Sequence, residues 1–506
     1  MDSALRPGPL RVTGPFSAPE QLTLPEVELS VSHTGLVPAR QQRIYCNRSI
    51  RLDQIEWVGF DMDYTLVIYD QPKMDQLTID AALQKLRAKG YPESLLNLTF
   101  ELDYPVRGLL LDAKLGNVIK MDRYKYVKRA YHGMRELSYD ERRAHYHASR
   151  LRTKRSSRYH FIDTLYALSE VTLFAAGVSH MESLGMQVDY AKWFADIRET
   201  VDLSHQDGSI LEAIVQNPGH YIRRDPDLPL TLHKLRSAGK KLFLLTNSQP
   251  AYTDRIMRYL LEGSLPEYKS WMHMFDIVIT ASKKPRFFIE ENVPFHNTAG
   301  KAVSKLERGK MYVGGCSEEL ARLTKINDDR VLYVGDHIYG DVLRAKRHSA
   351  WRTAMIIQEL EDELSGVART SEASDRWDRL EEARQALSDE LNHVQERLRT
   401  HEKRKPKNKP ETPEYAAERL RLRRRAERVR AKIKVVDQEC AQLEADIESQ
   451  FHRYWGPILK AGAESSSFGH QVEAYACLYT GKVSNLLAYS PMHYFRSPRE
   501  RLPHEL

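Results

Sequence analysis

The sequence predicts an α/β fold: a parallel sheet with helices on both faces, a mainly helical cap inserted after the first strand, and a helical-hairpin (coiled-coil) insert near the C-terminus. Three features predict it. Short apolar runs bounded by polar residues or glycine recur at IEWVGF (55–60), KKLFLLT (240–246), FDIVIT (275–280), RVLYVGD (330–336) and WRTAMII (351–357), the texture of buried parallel strands. Helical patterns such as LTLHKLRSAGK (230–240) separate them, with Gly239 placed to stop the helix before the next strand. Two heptad-like seams lie between about 359 and 455.

Ahead of the first strand, residues 1–42 are rich in Pro, Ser and Gly without periodicity, and predict a disordered arm. The core follows as 43–74 and 226–358, split by a cap at 75–225. In the hairpin, Trp377, Leu380, Leu387, Leu391, Val394 and Leu398 form one seam; Leu422, Ala426, Val429, Ile433, Val436, Cys440, Leu443 and Ile447 form the other. Between them EKRKPKNKPETP (402–413) makes a basic, Pro-interrupted tip. The closing stretch 452–495 is heavy in Tyr, Trp and Leu, and the C-terminal segment 456–506 is expected to pack back on the core.

Composition bounds the function class. The chain has 506 residues, 42% of them hydrophobic and 29% charged, enough for two or three domains with cores. Net charge is +7, a mild excess that fits anionic small substrates or a weak nucleic-acid affinity and decides for neither; nucleic acid is not the expected partner. The four cysteines are far apart and form no CxxC, which predicts a reducing, cytoplasmic compartment. No apolar run reaches membrane-spanning length, and MDSALRPGPL lacks the apolar stretch of a secretory signal.

In a parallel sheet, residues just past the strand C-termini line the ligand crevice. Here those residues are Asp61, Asp63 and Thr65, then Thr246, Asn247 and Ser248, then Lys284, then Asp336 and Asp341. Two carboxylates two residues apart, leaving one strand, repel each other unless a cation sits between them. Oxygen ligands point to a hard cation, Mg²⁺. Thr and Lys would hold phosphate oxygens. Any one piece alone is more simply a helix cap, a turn or an exposed loop; all four in order, each at a strand end, are specific.

In order and spacing, DMDYT, LLTNS, the KKP lysine and GDHIYGD resemble the four motifs of the haloacid dehalogenase (HAD) superfamily of phosphohydrolases. RGLLLDAKLGNVIKMD (107–122), DIRETVDLSHQDGSI (196–210), TASKKPRFF (280–288) and FGHQVEAYACLYTGKVSNLLAYSP (468–491) narrow the similarity to cytosolic purine 5′-nucleotidases that prefer IMP and GMP. The resemblance implies hydrolysis of purine nucleoside 5′-monophosphates. Asp61 would be the nucleophile that becomes an aspartyl phosphate, and Asp63 the general acid and then base. Asp61, the Asp63 backbone carbonyl and Asp336 would hold Mg²⁺, with Asp341 orienting that shell or Lys284. Thr246, Asn247 and Ser248 would bind the phosphoryl oxygens, and Lys284 would neutralise the transferring group. It also implies a homodimer or homotetramer and a phosphotransferase side activity.

On the expected cap, Arg198, Asp202 and His205 fall at i, i+4 and i+7 of one helical stretch and so share a face. Without context they read as a solvated ion pair; in the resembling family the matching positions contact the purine. Tyr159 matches an aromatic that stacks on the base, and reads equally well as core packing. Leu211 stands where the family has a lysine, a departure that bears on base preference. Two alternatives stay open: a phosphatase of another phosphomonoester, and a scaffold or nucleic-acid-binding protein with a vestigial core.

Overall fold

Nine strands form the main sheet, in the order Tyr45–Cys46, Leu478–Thr480, Arg352–Ile356, Val331–Gly335, Trp57–Phe60, Lys241–Leu245, Ile277–Thr280, Met311–Gly314, Phe295–Asn297. The computed structural model describes residues 38–146, 151, 157–345, 349–404 and 412–498. Of the arm expected to be disordered, 1–42, residues 1–37 lie outside the described residues, as does most of the basic hairpin tip (405–411); Arg40–Gln42 instead form a 3₁₀ turn. Only the two edge strands, Tyr45–Cys46 and Phe295–Asn297, run antiparallel to their neighbours. The seven between them are parallel, so their C-termini open on one edge. All five strands expected from the apolar runs are present, within two residues at each end. Trp57–Phe60 lies centrally, with every residue buried, because helices cover both faces and each side chain meets core. Gly59 is required there: a Cβ would come within 2.1 Å of the Phe243 ring on the adjacent strand.

Between the main-sheet strands Trp57–Phe60 and Lys241–Leu245, Ile68–Tyr69 and Ile222–Arg223 pair antiparallel as a separate two-stranded sheet, so the two ends of the inserted segment are zipped together. Most of the intervening residues in regular elements are helical: Gln71–Ala88, Leu168–Ser183, Tyr190–Gln206 and Ser209–Gln216 are the main helices. Met74, Thr78, Ile79, Ala82, Leu83 and Leu86 line the buried face of the first, at the spacing of an amphipathic helix. A five-stranded antiparallel sheet accompanies them, ordered Arg135–Glu136, Val127–His132, Asn117–Met121, Leu109–Asp112, Tyr159–Ile162. This sheet is not among the elements that the sequence predicts.

The helices Leu360–Lys403 and Pro413–Glu448 pair antiparallel as the hairpin. Val394, Leu422 and Ala426 close its seam, with Leu391 and Leu398 packed against them. Arg425–Glu390 (2.8 Å), Arg423–Glu402 (3.0 Å) and Arg397–Glu418 (3.2 Å) cross the exposed flank. Exposed pairs of this kind contribute about 0–1 kcal/mol each, so the apolar seam holds the helices together.

Candidate active site

Four neighbouring parallel strands deliver the motif residues to one place. Asp61 follows Phe60, Thr246 follows Leu245, Asp336 follows Gly335, and Lys284 lies four residues past Thr280. Register aligns the ends: Phe60 pairs with Val334 on one side and Leu244 on the other, and Leu245 pairs with Ile279. Asp341 returns over the Asp336 strand on a π-helical turn, Ile338–Leu343. It fits because residue 335 is glycine; a Cβ there would sit 2.6 Å from Asp341 atoms.

Asp61, Asp63, Thr246, Asn247, Lys284, Asp336 and Asp341 together line a cavity of about 170 Å³. Lys284 Nζ contacts Asp61 Oδ1 at 2.8 Å and Asp341 Oδ1 at 2.7 Å, and donates to Tyr333 Oη at 3.0 Å. Burial alone would pull the lysine down, but the two carboxylates outweigh it and hold the ammonium above its ordinary value. Burial pushes Asp61 well up against the pull of Lys284. Asp336 is pushed up to about 7, by burial and then by the Asp341 charge, with Arg107 opposing.

One ammonium against three carboxylates leaves the cluster short of positive charge. Carboxylate oxygens of Asp61, Asp336 and Asp341 lie within 4.8 Å of one another, an all-oxygen donor set of the kind hard divalent cations take. These residues therefore fit Mg²⁺.

Asp63 is held by two hydroxyls. Tyr69 donates to Oδ1 and Ser248 to Oδ2, both at 2.6 Å, and Tyr69 Oη lies 2.8 Å from Tyr252 Oη. Ser248 thus bonds Asp63, and its N–H donates to Thr246 Oγ1 at 3.1 Å. The Thr246 hydroxyl, with that oxygen accepting, keeps its proton for an acceptor in the cavity. Asn247 spends its side chain locally: Oδ1 accepts from Lys284 N (2.6 Å) and Ser282 Oγ (3.0 Å), and Nδ2 donates to Lys284 O (3.0 Å). Its side chain fixes the lysine loop, where the resemblance implies a phosphate contact.

Arg198, Asp202 and His205 share the helix Tyr190–Gln206, but not one cavity. Arg198 and Asp202 line a separate groove of about 560 Å³ with His160 and Phe194. Arg198 Nε is 3.7 Å from Glu170 Oε2. His205 instead meets the ring of Tyr166 (centroids 5.8 Å), and Tyr166 lines the carboxylate cavity. Tyr159 is not brought to either cavity. It packs with Leu110, Ile119 and Met121 on the opposite face of its strand. The next residue, His160, faces the groove and packs on Phe194 at 4.7 Å, as strand alternation requires.

Sequence reasoning missed Tyr69, Tyr166 and the pair His337–Asp163 (3.3 Å) beside Asp336. His337 lies inside GDHIYGD and could have been singled out; nothing local marks Tyr69 or Tyr166. The four cysteines are unpaired, and among the described residues no helix is long and apolar enough to cross a membrane.

Two curated relatives are 28% identical to this chain. One is a 5′-nucleotidase domain-containing protein of Dictyostelium discoideum, aligned over 92% of this chain and 75% of that protein. The other is 5′-nucleotidase domain-containing protein 2 of Rattus norvegicus, over 91% and 80%. Among solved structures, a β-phosphoglucomutase from Pyrococcus sp. Strain ST 04 matches 60% of this chain and 87% of that one at 13% identity, with a TM-score of 0.29. The 5′ nucleotidase family model matches residues 44–506, and the chain belongs to that family.

Proposed function

We propose that the protein is a Mg²⁺-dependent 5′-nucleotidase that hydrolyses purine nucleoside 5′-monophosphates, IMP or GMP by preference, through a phosphorylated Asp61. The observation that carries this reading is the meeting of Asp61, Asp63, Thr246, Lys284, Asp336 and Asp341 in one small cavity. Asp61 attacks phosphorus, its charge steadied by Lys284 and by the Met62 N–H, which donates to Oδ1 at 2.7 Å. Asp63 gives a proton to the departing ribose oxygen, then takes one from the water that cleaves the acyl phosphate. Thr246 and Lys284 hold the transferring oxygens. Asp61, the Asp63 backbone carbonyl and Asp336 would hold Mg²⁺, with Asp341 close enough to join them and orienting that shell or Lys284; the ion when bound would neutralise charge that builds on the phosphoryl group.

The test is phosphate release from a panel of monophosphates, with Mg²⁺ and with a chelator, alongside Asp61→Asn. Turnover of IMP or GMP that needs the metal and vanishes in the variant supports the reading; no release from any nucleotide defeats it. A second substrate class, sugar or other small phosphomonoesters, draws support from the placement of Arg198 and Asp202 in a groove separate from the carboxylate cavity. The same panel separates the two. Unpaired cysteines favour a cytoplasmic setting.

A further inference from the structure

Arg107 has a side chain with no exposed surface, and all of its hydrogen bonds go to two places. Nε and Nη2 grip the Glu359 carboxylate at 2.7 and 2.5 Å, and Nη1 donates to the backbone carbonyl of Asp336 at 2.9 Å. Glu359 is the residue from which the 44-residue hairpin helix Leu360–Lys403 starts. Its neighbour Gln358 donates from Nε2 to the carbonyl of Tyr64 at 3.0 Å. Tyr64 follows Asp63 and holds a left-handed backbone, φ +56°. Two consecutive residues at the root of the hairpin therefore hold the turns that carry Asp61 and Asp336, one directly and one through Arg107.

We propose that Arg107, locked by Glu359, is a positioning residue that sets the spacing between Asp336 and the Asp61 turn, and with it the affinity for the divalent cation. The inference rests on the reading that these carboxylates hold such a cation. A buried ion pair is a poor device for stability alone, since apolar residues of the same volume commonly do as well. What the pair supplies is geometry: a planar fork fixed at two points by one carboxylate aims its third contact rigidly. Groups that orient metal ligands in this way typically alter metal affinity by about 10–100-fold when removed.

Charge and position make opposite predictions. If Arg107 mattered only as a cation near acidic groups, its removal would tighten binding of another cation. If it positions Asp336, removal loosens binding.

The experiment is Mn²⁺ titration of the full-length protein, followed by paramagnetic resonance of the free ion and by calorimetry, with thermal melts of the metal-free samples. Arg107→Met should bind Mn²⁺ about tenfold or more weakly, and Glu359→Gln should weaken it in the same direction. Should Arg107→Met fail to melt cooperatively, Arg107→Met/Glu359→Leu restores an apolar contact, and Gln358→Leu removes only the second tie; both should still weaken Mn²⁺. Unchanged or tighter binding in variants that melt like the wild type overturns the positioning role. Absence of Mn²⁺ binding by the wild type overturns the cation reading itself, a distinct result.

Discussion

Lys284 Nζ lies 2.8 Å from Asp61 Oδ1, and the same ammonium lies 2.7 Å from Asp341. One cation thus ties the residue expected to attack phosphorus to the far end of the last motif, with no more than a twentieth of the lysine side chain exposed. Lys284→Met should lower kcat by about 10²–10³-fold, the effect typical of losing one preorganised charge partner of a developing anion. Metal-free, it should lose roughly 3–5 kcal/mol of stability, because two buried carboxylates lose their counter-ion. Added Mg²⁺ should return part of that loss. Melting curves with and without the metal check this; a melt indifferent to Mg²⁺ in both proteins would show that the cation does not enter the cluster.

Asp63 accepts one hydroxyl on each oxygen, from Tyr69 and Ser248. A carboxylate that donates and recovers a proton needs its rotamer fixed towards the leaving oxygen. Tyr69→Phe and Ser248→Ala should each lower kcat about tenfold while KM changes little, and the double variant should fall short of the product of the two. The family resemblance implies instead that Ser248 binds the phosphoryl group. Were that its role, Ser248→Ala would raise KM, so steady-state kinetics decide between them.

The parts of this site that sequence reveals are those written locally. Apolar runs mark the central strands because a strand buried on both faces needs every position apolar, and the polar residues that end them are the site. Short strands with polar positions, such as Phe295–Asn297 and Arg135–Glu136, carry too weak a pattern to stand out, whereas Leu109–Asp112 of the cap sheet is as long and as fully buried as Trp57–Phe60. Tyr159 and His160 show a sharper limit. A one-residue error in strand phase exchanges core for groove, and only the pairing of Tyr159–Ile162 with Leu109–Asp112 sets that phase. Asn247 shows another: motif position places the residue, but whether its amide meets a ligand or the Lys284 loop depends on tertiary geometry. The hydrogen bond of Arg107 with Glu359 spans 252 residues and leaves no local trace.

His205 and Tyr166 form the contact through which the helix carrying Arg198 and Asp202 reaches the carboxylate cavity. If a purine lies along this face, Tyr166→Ala and Asp202→Asn should raise KM for IMP and GMP about tenfold or more, since a site built to hydrogen-bond and stack loses its partners. Neither should alter kcat for a small aryl phosphate that has no base to recognise. An equal loss with both substrates would mean that these residues support the fold of the cap and do not read the base.

Glu170 is largely but not fully buried beside Arg198, and burial pushes its carboxyl up to about 7, against the pull of Arg198 and with help from the Asp202 charge. The unfolded chain titrates this group near the ordinary glutamate value, about 4.3. Between those values the folded state binds more protons than the unfolded one, so the contribution of Glu170 to stability falls as pH rises. Below about pH 4 both states are protonated and the residue costs nothing. Above about pH 7 the full penalty applies, on the order of 3 kcal/mol from the size of the shift. Glu170→Gln, which keeps the shape and the hydrogen-bonding capacity, should therefore leave the protein little changed at pH 4.5 and stabilise it at pH 8. Without the carboxylate the Arg198 ion pair is gone, and this subtracts little, because that guanidinium is half exposed. Urea titrations of the two proteins across this range give the difference directly; a difference that is flat with pH, or that grows towards acid, would mean that Glu170 is ionised at little cost in the folded protein.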